Sequence, residues 1–181
     1  MNAHALLSAV GGDRIGIVDD VSAAILGYAC NIEESRMALL GGDFAVLILL
    51  SGTEEAVTRL TEDAKSIGEK LGLAASARRT ESPDQKLDAL PYILESSSLD
   101  TNGIVNSVAA VLRRYNINIA DLETDTNPAP WTGAPMFNMR ARLSVPRSVS
   151  IPSLRGEMQK LESEHNLDLR LYPAGRTPTE S

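Results

Sequence analysis

Two glycine turns are the features of this sequence with the clearest potential for chemistry. The first covers 11–16 and ends at Gly16, the second covers 98–103 and ends at Gly103, and a helical pattern follows each turn. Backbone N–H groups at the start of a helix, at the positive end of its dipole, suit an anion as small as a carboxylate. Neither turn has the Lys of a Walker loop or the G-x-G-x-x-G spacing of a dinucleotide fingerprint. We therefore predict a site for a small anion and no nucleotide cofactor.

Two asparagines stand just past the helix that follows each turn. Asn31 and Asn118 are both followed by isoleucine. Asparagine tolerates the left-handed conformation that ends a helix and bonds to nearby backbone, so a structural role is one interpretation. Their repetition in the same place, each time with a glycine turn, favours a second interpretation in which the amide binds a ligand. The sequence leaves both interpretations open.

Catalytic and metal chemistry find little support in the sequence. The two histidines stand at opposite ends of the chain and Cys30 is the only cysteine, so neither a metal site nor an intrachain disulfide is predicted. The serines at 96–98 lack the G-x-S-x-G elbow of a hydrolase. The acids at 19–20 and 33–34 are interpreted as solvated charges, because sequence neighbours point to different faces. We predict no cofactor and no enzymatic activity.

An internal repeat positions both turns and both asparagines. Gly16 and Asn31 recur 87 residues further on as Gly103 and Asn118. The helical stripe Val18, Val21, Ile25 and Tyr28 is carried by the same shift onto Val105, Val108, Leu112 and Tyr115. The second copy has an insertion within 125–135. Such a repeat predicts two units of one fold.

Each unit is predicted to contain strand, helix, strand, strand, helix and strand, the order of the ferredoxin-like fold. The predicted elements are 3–10, 16–29, 32–40, 44–50, 54–71 and 73–79, then 91–97, 103–115, 119–124, 136–145, 152–165 and 167–172. Ser51 and Glu54 are spaced as a capping box, and Gly72 ends that helix. We predict an α+β chain of two antiparallel sheets, each with helices on one face. The domains are predicted at 1–80 and 91–175, with a linker at 81–90 and a tail at 176–181.

The strands also predict which sheet faces meet water. The strand at 136–145 alternates apolar and polar residues, as a strand with one solvated face does. The strand at 44–50, FAVLILL, is apolar throughout, so we expect another sheet or subunit to cover its outer face. Trp131, on a proline-rich loop, either anchors a partner or folds back on its own surface.

Composition limits the classes of function. The formal net charge of -7 repels a phosphate backbone, and no helix-turn-helix stands apart from the repeats, so direct nucleic-acid binding is not expected. No apolar run approaches the roughly 20 residues that span a bilayer, and the N-terminus lacks signal-peptide features. We expect a cytoplasmic protein without membrane association.

The paired turns and asparagines resemble the ACT domain, the small regulatory module of amino-acid metabolism. Residues 13–18 with 31–32, repeated at 100–105 with 118–119, carry the resemblance. The tandem arrangement is similar to the glycine cleavage system transcriptional repressor family. The resemblance implies a ferredoxin-like fold, sheets paired side by side, and a small ligand, usually an amino acid, at the interface. By position it implies the ligand-binding residues Asp13, Arg14, Ile15, Gly16, Ile17, Asn31, Asp100, Thr101, Asn102, Gly103, Ile104 and Asn118.

The sequence departs from the family pattern just before the motif glycine, where proline is frequent. Ile15 and Asn102 occupy that position, and Thr101 stands where the first unit has Arg14. We therefore expect two sites of unequal affinity, or one working site.

The residues and the resemblance together predict a non-enzymatic regulator that senses a small metabolite, an amino acid foremost. The resemblance extends this role to indirect transcriptional regulation of glycine metabolism. The predicted partners are the small ligand, a second copy of the chain in a homo-oligomer, foremost a dimer, and a regulatory protein. The alternative is a constitutive protein-protein interaction module without a ligand.

Overall fold

The chain forms two compact units of the same architecture in a computed structural model. The structure describes residues 3–81, 88–130 and 132–175. The units comprise Met1–Gln85 and Lys86–Ser181. Among the described residues, no helix is both long and apolar enough to cross a membrane.

The first unit is a four-stranded antiparallel sheet with two helices. Its elements are β1 (Ala3–Gly12), α1 (Ile17–Gly27), β2 (Asn31–Leu40), β3 (Asp43–Gly52), α2 (Glu54–Leu71) and β4 (Ala74–Thr80). The strand order is β2-β3-β1-β4, so β2 and β4 are the edges.

The second unit repeats this arrangement. Its elements are β5 (Ala89–Leu99), α3 (Ile104–Arg114), β6 (Asn118–Pro128), β7 (Pro135–Pro146), α4 (Ile151–His165) and β8 (Asp168–Pro173). The strand order is β6-β7-β5-β8, again antiparallel throughout. Both units therefore have the predicted βαββαβ order, and the α+β, ferredoxin-like fold class is confirmed.

Each unit has its own aliphatic core between the sheet and the two helices. In the first unit, alternate residues of β3 pack against α1 and α2; the buried members are Phe44, Val46, Ile48, Leu50, Ile17, Val21, Ile25, Val57, Leu60 and Ala64. The second core is also largely aliphatic, with Leu143, Val145, Val108, Leu112 and Leu154 at its centre. Burying aliphatic side chains is worth about 1.5 to 3 kcal/mol each, so these stripes are what fixes the helices on one face.

The predicted capping box of α2 is wrong. Thr53 is the N-cap, and its side chain accepts a hydrogen bond from the Ala56 N–H at 3.2 Å. β3 continues to Gly52, so Ser51 is held in the sheet opposite Asn31 and is not at the helix boundary. The predicted end of α2 is confirmed, because Gly72 is its left-handed C-cap.

The predicted alternation of β7 is confirmed, with Met139, Ala141, Leu143 and Val145 buried and Arg140 and Arg142 exposed between them. In β3 the outward Leu47 is 48% exposed. No described element of the first unit therefore packs on the outer face of β3. That a second sheet or subunit buries this face stays a prediction.

The predicted linker and tail fall mostly outside the described residues. β5 begins at Ala89, inside the segment 81–90 predicted as linker. The remaining domain boundaries stay predictions.

Candidate functional site

Both glycine turns end in a backbone conformation that glycine adopts without strain. Gly16 has φ 87° and ψ -1°, and Gly103 has φ 95° and ψ 0°, both in the left-handed region. A Cβ at either position would meet nothing within 4 Å, so the constraint is torsional and not steric crowding. The two turns share one geometry.

The helices that follow these turns start without a side-chain cap. Among the described residues, no side-chain hydrogen bond caps α1 or α3, whereas Thr53 and Ser150 cap α2 and α4. The first N–H groups of a helix have no acceptor within the helix. Together with the positive end of the helix dipole, they favour an anion of carboxylate size.

The first turn is partly closed by its own side chains. The Asp13 N–H donates to the Gly42 carbonyl at 3.3 Å, which ties the turn to the β2–β3 hairpin. The Arg14 guanidinium pairs with Asp20 at 2.6 Å, so it must exchange partners before it binds a carboxylate ligand. Ile15 is fully exposed. A cavity of about 80 Å³ lies between α1, β2 and β3, and no residue of the turn lines it.

The second turn is more open. The Asp100 N–H donates to the Pro135 carbonyl at 2.9 Å, as the matching amide does in the first unit. Thr101 and Ser107 replace the ion-paired residues of the first turn. A cavity of about 570 Å³ borders this turn, lined by Thr101, Asn102, Gly103, Ile104, Val105, Asn106, Ala109 and Phe137. Three of these residues, Thr101, Asn102 and Gly103, belong to the turn itself.

The asparagines lie at the far end of the same helices. α1 and α3 each have 11 residues, which corresponds to about 16 Å at 1.5 Å per residue. Asn31 begins β2 and Asn118 begins β6, each just past its helix. The structure thus does not bring the turn and the asparagine of one unit to the same small ligand.

Glu33 is the candidate that the sequence interpretation missed. Its carboxylate accepts a hydrogen bond from Asn31 Nδ2 at 3.1 Å and another from Ser51 Oγ. These bonds, that from Ser51 first, hold the pKa of Glu33 below its ordinary value. The acids at 19–20 and 33–34 are not buried, as predicted, but Glu33 accepts these two hydrogen bonds, and Asp20 and Glu34 pair with Arg14 and Arg36. The β-bulge at Glu33 is a feature that residue patterns do not reveal.

The remaining residues singled out from the sequence lie in the cores, at a strand end or outside the described residues. The side chains of Ile17 and Ile104 are 4% and 3% exposed, so both contribute to the cores. Across the ranges that the structure describes, no three His, Cys, Asp or Glu residues form a group suited to a metal ion. Ser98 Oγ donates to the Leu99 carbonyl at 3.0 Å, at the end of β5. Trp131 lies outside the described residues.

A second hollow, of about 520 Å³, lies on the outer face of the second sheet. Arg140 pairs there with Glu95 at 2.9 Å, and Arg170 with Asp168 at 3.5 Å. Its charges are thus largely paired within the unit.

Comparisons with known proteins agree with this architecture. Residues 3–78 match the ACT domain family model. The chain is 27% identical over 164 residues to the glycine cleavage system transcriptional repressor of Escherichia coli strain K12, covering 90% of this chain and 86% of that protein.

Two solved structures cover almost the whole chain. An unknown protein from Galdieria sulphuraria is 34% identical, with a TM-score of 0.79 and coverage of 96% of this chain and 99% of that one. A protein provisionally assigned as a glycine cleavage system transcriptional repressor is 24% identical, with a TM-score of 0.73 over 95% of this chain and 97% of that one, and it shows the same fold. The family model shows that residues 3–78 are an ACT domain, and the second unit repeats the same strand order, so the chain carries two ACT-like units in tandem.

Proposed function

We propose that this chain is a non-enzymatic regulator that senses an α-amino acid through its ACT units and passes the signal to another protein. The observation that carries the proposal is the repeated turn: in both units a left-handed glycine precedes a helix whose first amides have no side-chain cap. The likeness to the repressor supports a regulatory role in amino-acid metabolism, exerted indirectly on transcription.

The ligand-binding residues we propose are those of the two turns and the two asparagines. The turns contribute Asp13, Arg14, Ile15, Gly16 and Ile17, and Asp100, Thr101, Asn102, Gly103 and Ile104; the asparagines are Asn31 and Asn118. Amides around Gly16 or Gly103 bind the ligand carboxylate, and an asparagine Oδ1 accepts from its ammonium group. Ile17 and Ile104 contribute through the backbone, because their side chains are buried, and the Ile17 N–H exchanges its bond to the Arg14 carbonyl, 3.3 Å away, for the ligand.

Because the turn and the asparagine of one unit are separated by the length of a helix, a complete site needs a second unit. β2 begins at Asn31, just after the C-terminal end of α1, and ends at Leu40. The β2–β3 hairpin that follows contacts the turn, because the Gly42 carbonyl accepts from the Asp13 N–H. Antiparallel pairing of β2 with the β2 of a second copy places each Asn31 beside the other copy's turn. A homodimer of this kind completes two equivalent sites.

Ligand binding then couples to assembly. An amino acid that bridges two copies stabilises the paired arrangement relative to every other one. Its regulatory effect equals its difference in affinity between the arrangements, on the order of 1 to 3 kcal/mol for allosteric coupling.

Thermal-shift screening against the common amino acids tests the proposal. A ligand that binds only the folded state, at 100 times its Kd, stabilises by about 2.7 kcal/mol, a rise on the order of 10 °C for units of this size. We expect Asn31→Ala and Asn118→Ala each to reduce the ligand-induced rise in melting temperature, because each removes one binding site. Gln159→Ala, which removes an exposed amide from α4, serves as the control. If no amino acid raises the melting temperature of the wild type, the sensor role is wrong and the constitutive interaction module remains.

A further inference from the structure

The two units share a β-bulge at the position where their asparagine-bearing strands begin. The ladder between β2 and β3 shifts register between Ile32 and Glu34, which leaves Glu33 as the extra residue. The ladder between β6 and β7 shifts in the same place and leaves Ala120. A β-bulge changes the direction of a side chain and leaves the extra residue unpaired with the neighbouring strand. The type of residue at the bulge can therefore change the surroundings of the nearby asparagine.

The surroundings of the two bulges match. Asn31 lies opposite Ser51 in the first sheet, and Asn118 lies opposite Ser144 in the second. Both units thus have the asparagine, the serine opposite it and the bulge. The bulged residue itself is a carboxylate in one unit and a methyl group in the other.

In the first unit the carboxylate fixes the orientation of the asparagine amide. Glu33 Oε1 accepts from Asn31 Nδ2 at 3.1 Å, and Ser51 Oγ donates to the same oxygen. An ionised carboxylate only accepts hydrogen bonds, so it selects the NH2 side of the amide and leaves Oδ1 turned away. In the described part of the second unit, no side chain bonds the Asn118 amide, which can present either end.

We propose that Glu33 is a positioning residue that makes the asparagine of the first unit selective for a ligand bearing an α-ammonium group over the matching 2-hydroxy acid. This inference rests on the proposed function, because it concerns the site that contains Asn31. The second unit, with Ala120 at the matching bulge, lacks the device and does not discriminate in this way.

The selectivity follows from hydrogen-bond chemistry. An ammonium group donates to the fixed Oδ1 in a charge-assisted bond, and the negative charge of Glu33 nearby favours the same cation. A hydroxyl donates only a neutral bond to Oδ1. An asparagine that is free to turn must first orient its amide, and at the second bulge no carboxylate adds its charge, so the advantage of the ammonium over the hydroxyl is smaller there. The difference between a charge-assisted and a neutral bond corresponds to about a tenfold preference.

The first experiment measures that preference by calorimetry. The probes are glycine with glycolate, L-alanine with L-lactate, and L-serine with L-glycerate. Asn118→Ala leaves the first unit as the site observed, and Asn31→Ala leaves the second. In the Asn118→Ala background we expect Glu33→Ala to lower the preference for the amino acid about tenfold.

Two matched variants control this measurement. Glu34→Ala removes the neighbouring carboxylate of the same strand, which pairs with Arg36 at 3.0 Å, and should leave the preference unchanged. Ala120→Glu in the Asn31→Ala background should create the preference in the second unit. Both positions are exposed, so neither change disturbs a core.

A second experiment observes the amide without any ligand. In ¹⁵N-edited NMR spectra we expect the Asn31 side-chain NH2 signals to shift between wild type and Glu33→Ala, and those of Asn118 to shift on Ala120→Glu. Identical Asn31 signals in both proteins, or an unchanged preference in Glu33→Ala, overturn this inference alone. If none of the six compounds binds any form and no common amino acid raises the melting temperature, the proposed function fails and this inference fails with it.

Discussion

At the scale of single residues, Glu33 makes the stability of the first unit depend on acid pH. Its hydrogen bonds from Ser51 and Asn31 hold the pKa of the folded carboxyl below its ordinary value, which is about 4.3 in an unfolded chain. The stabilisation is therefore complete above the unfolded pKa and is lost as pH falls through the lower, folded pKa. We expect the melting temperature of the wild type to fall more steeply between about pH 5 and pH 3 than that of Glu33→Gln.

Ser51→Ala provides the check on this prediction. Because the Ser51 hydroxyl is the largest cause of the lowered pKa, its removal should flatten the same slope in part. If the melting temperatures of the wild type, Glu33→Gln and Ser51→Ala fall with the same slope across this pH range, the assignment of the hydrogen bonds to Glu33 is contradicted.

Residue types predicted the turns better than the polar contacts. Gly16 and Gly103 are recognisable because a left-handed turn before a helix favours one residue type. The Glu33 to Asn31 bond depends on a bulge, and the Arg14 to Asp20 pair on the way the turn folds back. Such contacts depend on how the backbone places the two side chains, and a hydropathy pattern contains no information about that placement.

At the scale of elements, α2 approaches β4 unusually closely at Gly68. A Cβ at this position would lie 2.6 Å from Ala75 Cβ and 2.6 Å from the Leu73 carbonyl oxygen, so backbone would have to move. We expect Gly68→Ala to lower the free energy of unfolding of the first unit by about 1 to 3 kcal/mol, measured by urea denaturation. The gain in helix propensity, about 1 kcal/mol, does not offset the clash.

Gly156→Ala is the matched control for this variant. Gly156 also lies inside a helix, α4, but a Cβ there meets nothing within 4 Å. We expect this substitution to raise the unfolding free energy of the second unit by about 0.5 to 1 kcal/mol. Equal effects of the two substitutions would show that packing against β4 does not set the response.

The start of α2 gives a further prediction for an element. Thr53 accepts from the Ala56 N–H, so Thr53→Ala should destabilise the first unit by about 1 kcal/mol and Thr53→Ser should not. Hydrogen exchange at the Ala56 amide measures the local effect, and it should be faster in Thr53→Ala only. Unchanged exchange would mean that another group caps the helix.

Most of the element order was predictable because the helices and strands follow hydrophobic periods. The α1 stripe and the β7 alternation point at a core that the structure contains, α1 through Val21 and Ile25. Val18, predicted on the same buried face, is 53% exposed, and its neighbour Ile17 is buried instead. Boundaries were less predictable, since strands extend for as long as a neighbour pairs with them. β6 reaches Pro128 because Pro135 continues the ladder opposite it, although the residues there are polar.

At the scale of the whole molecule, the two asparagine-bearing edge strands differ in chemistry. Every residue of β2 is exposed, and Met37 and Leu39 are 53% and 56% exposed on the helix side of the sheet. At the matching places, opposite Met139 and Phe137, β6 has Thr124 and Thr126. The alternate positions of β6 carry Asp121, Glu123 and Asp125.

This difference predicts which edge pairs with a second copy. Exposed apolar edges promote strand pairing, and like charges directly opposite one another oppose it. Self-pairing of β6 would bring together three acids with no cation on the strand, whereas β2 offers the apolar Met37 and Leu39, and its Glu34 is paired with Arg36. We therefore expect pairing through β2 to be stronger than pairing through β6, so that the site built on Gly103 and Asn118 has the lower affinity.

Light scattering behind a sizing column tests the choice of edge. We expect the wild type at twice the chain mass of 19.4 kDa, and Met37→Lys with Leu39→Lys at the mass of one chain. Thr124→Lys with Thr126→Lys makes the same charge change on the other edge and should leave the dimer intact. A wild type that elutes as a single chain, or a dimer broken only by the threonine substitutions, would rule out pairing through β2. In the first case the sites built on Gly16 and Asn31 would also lack their second half.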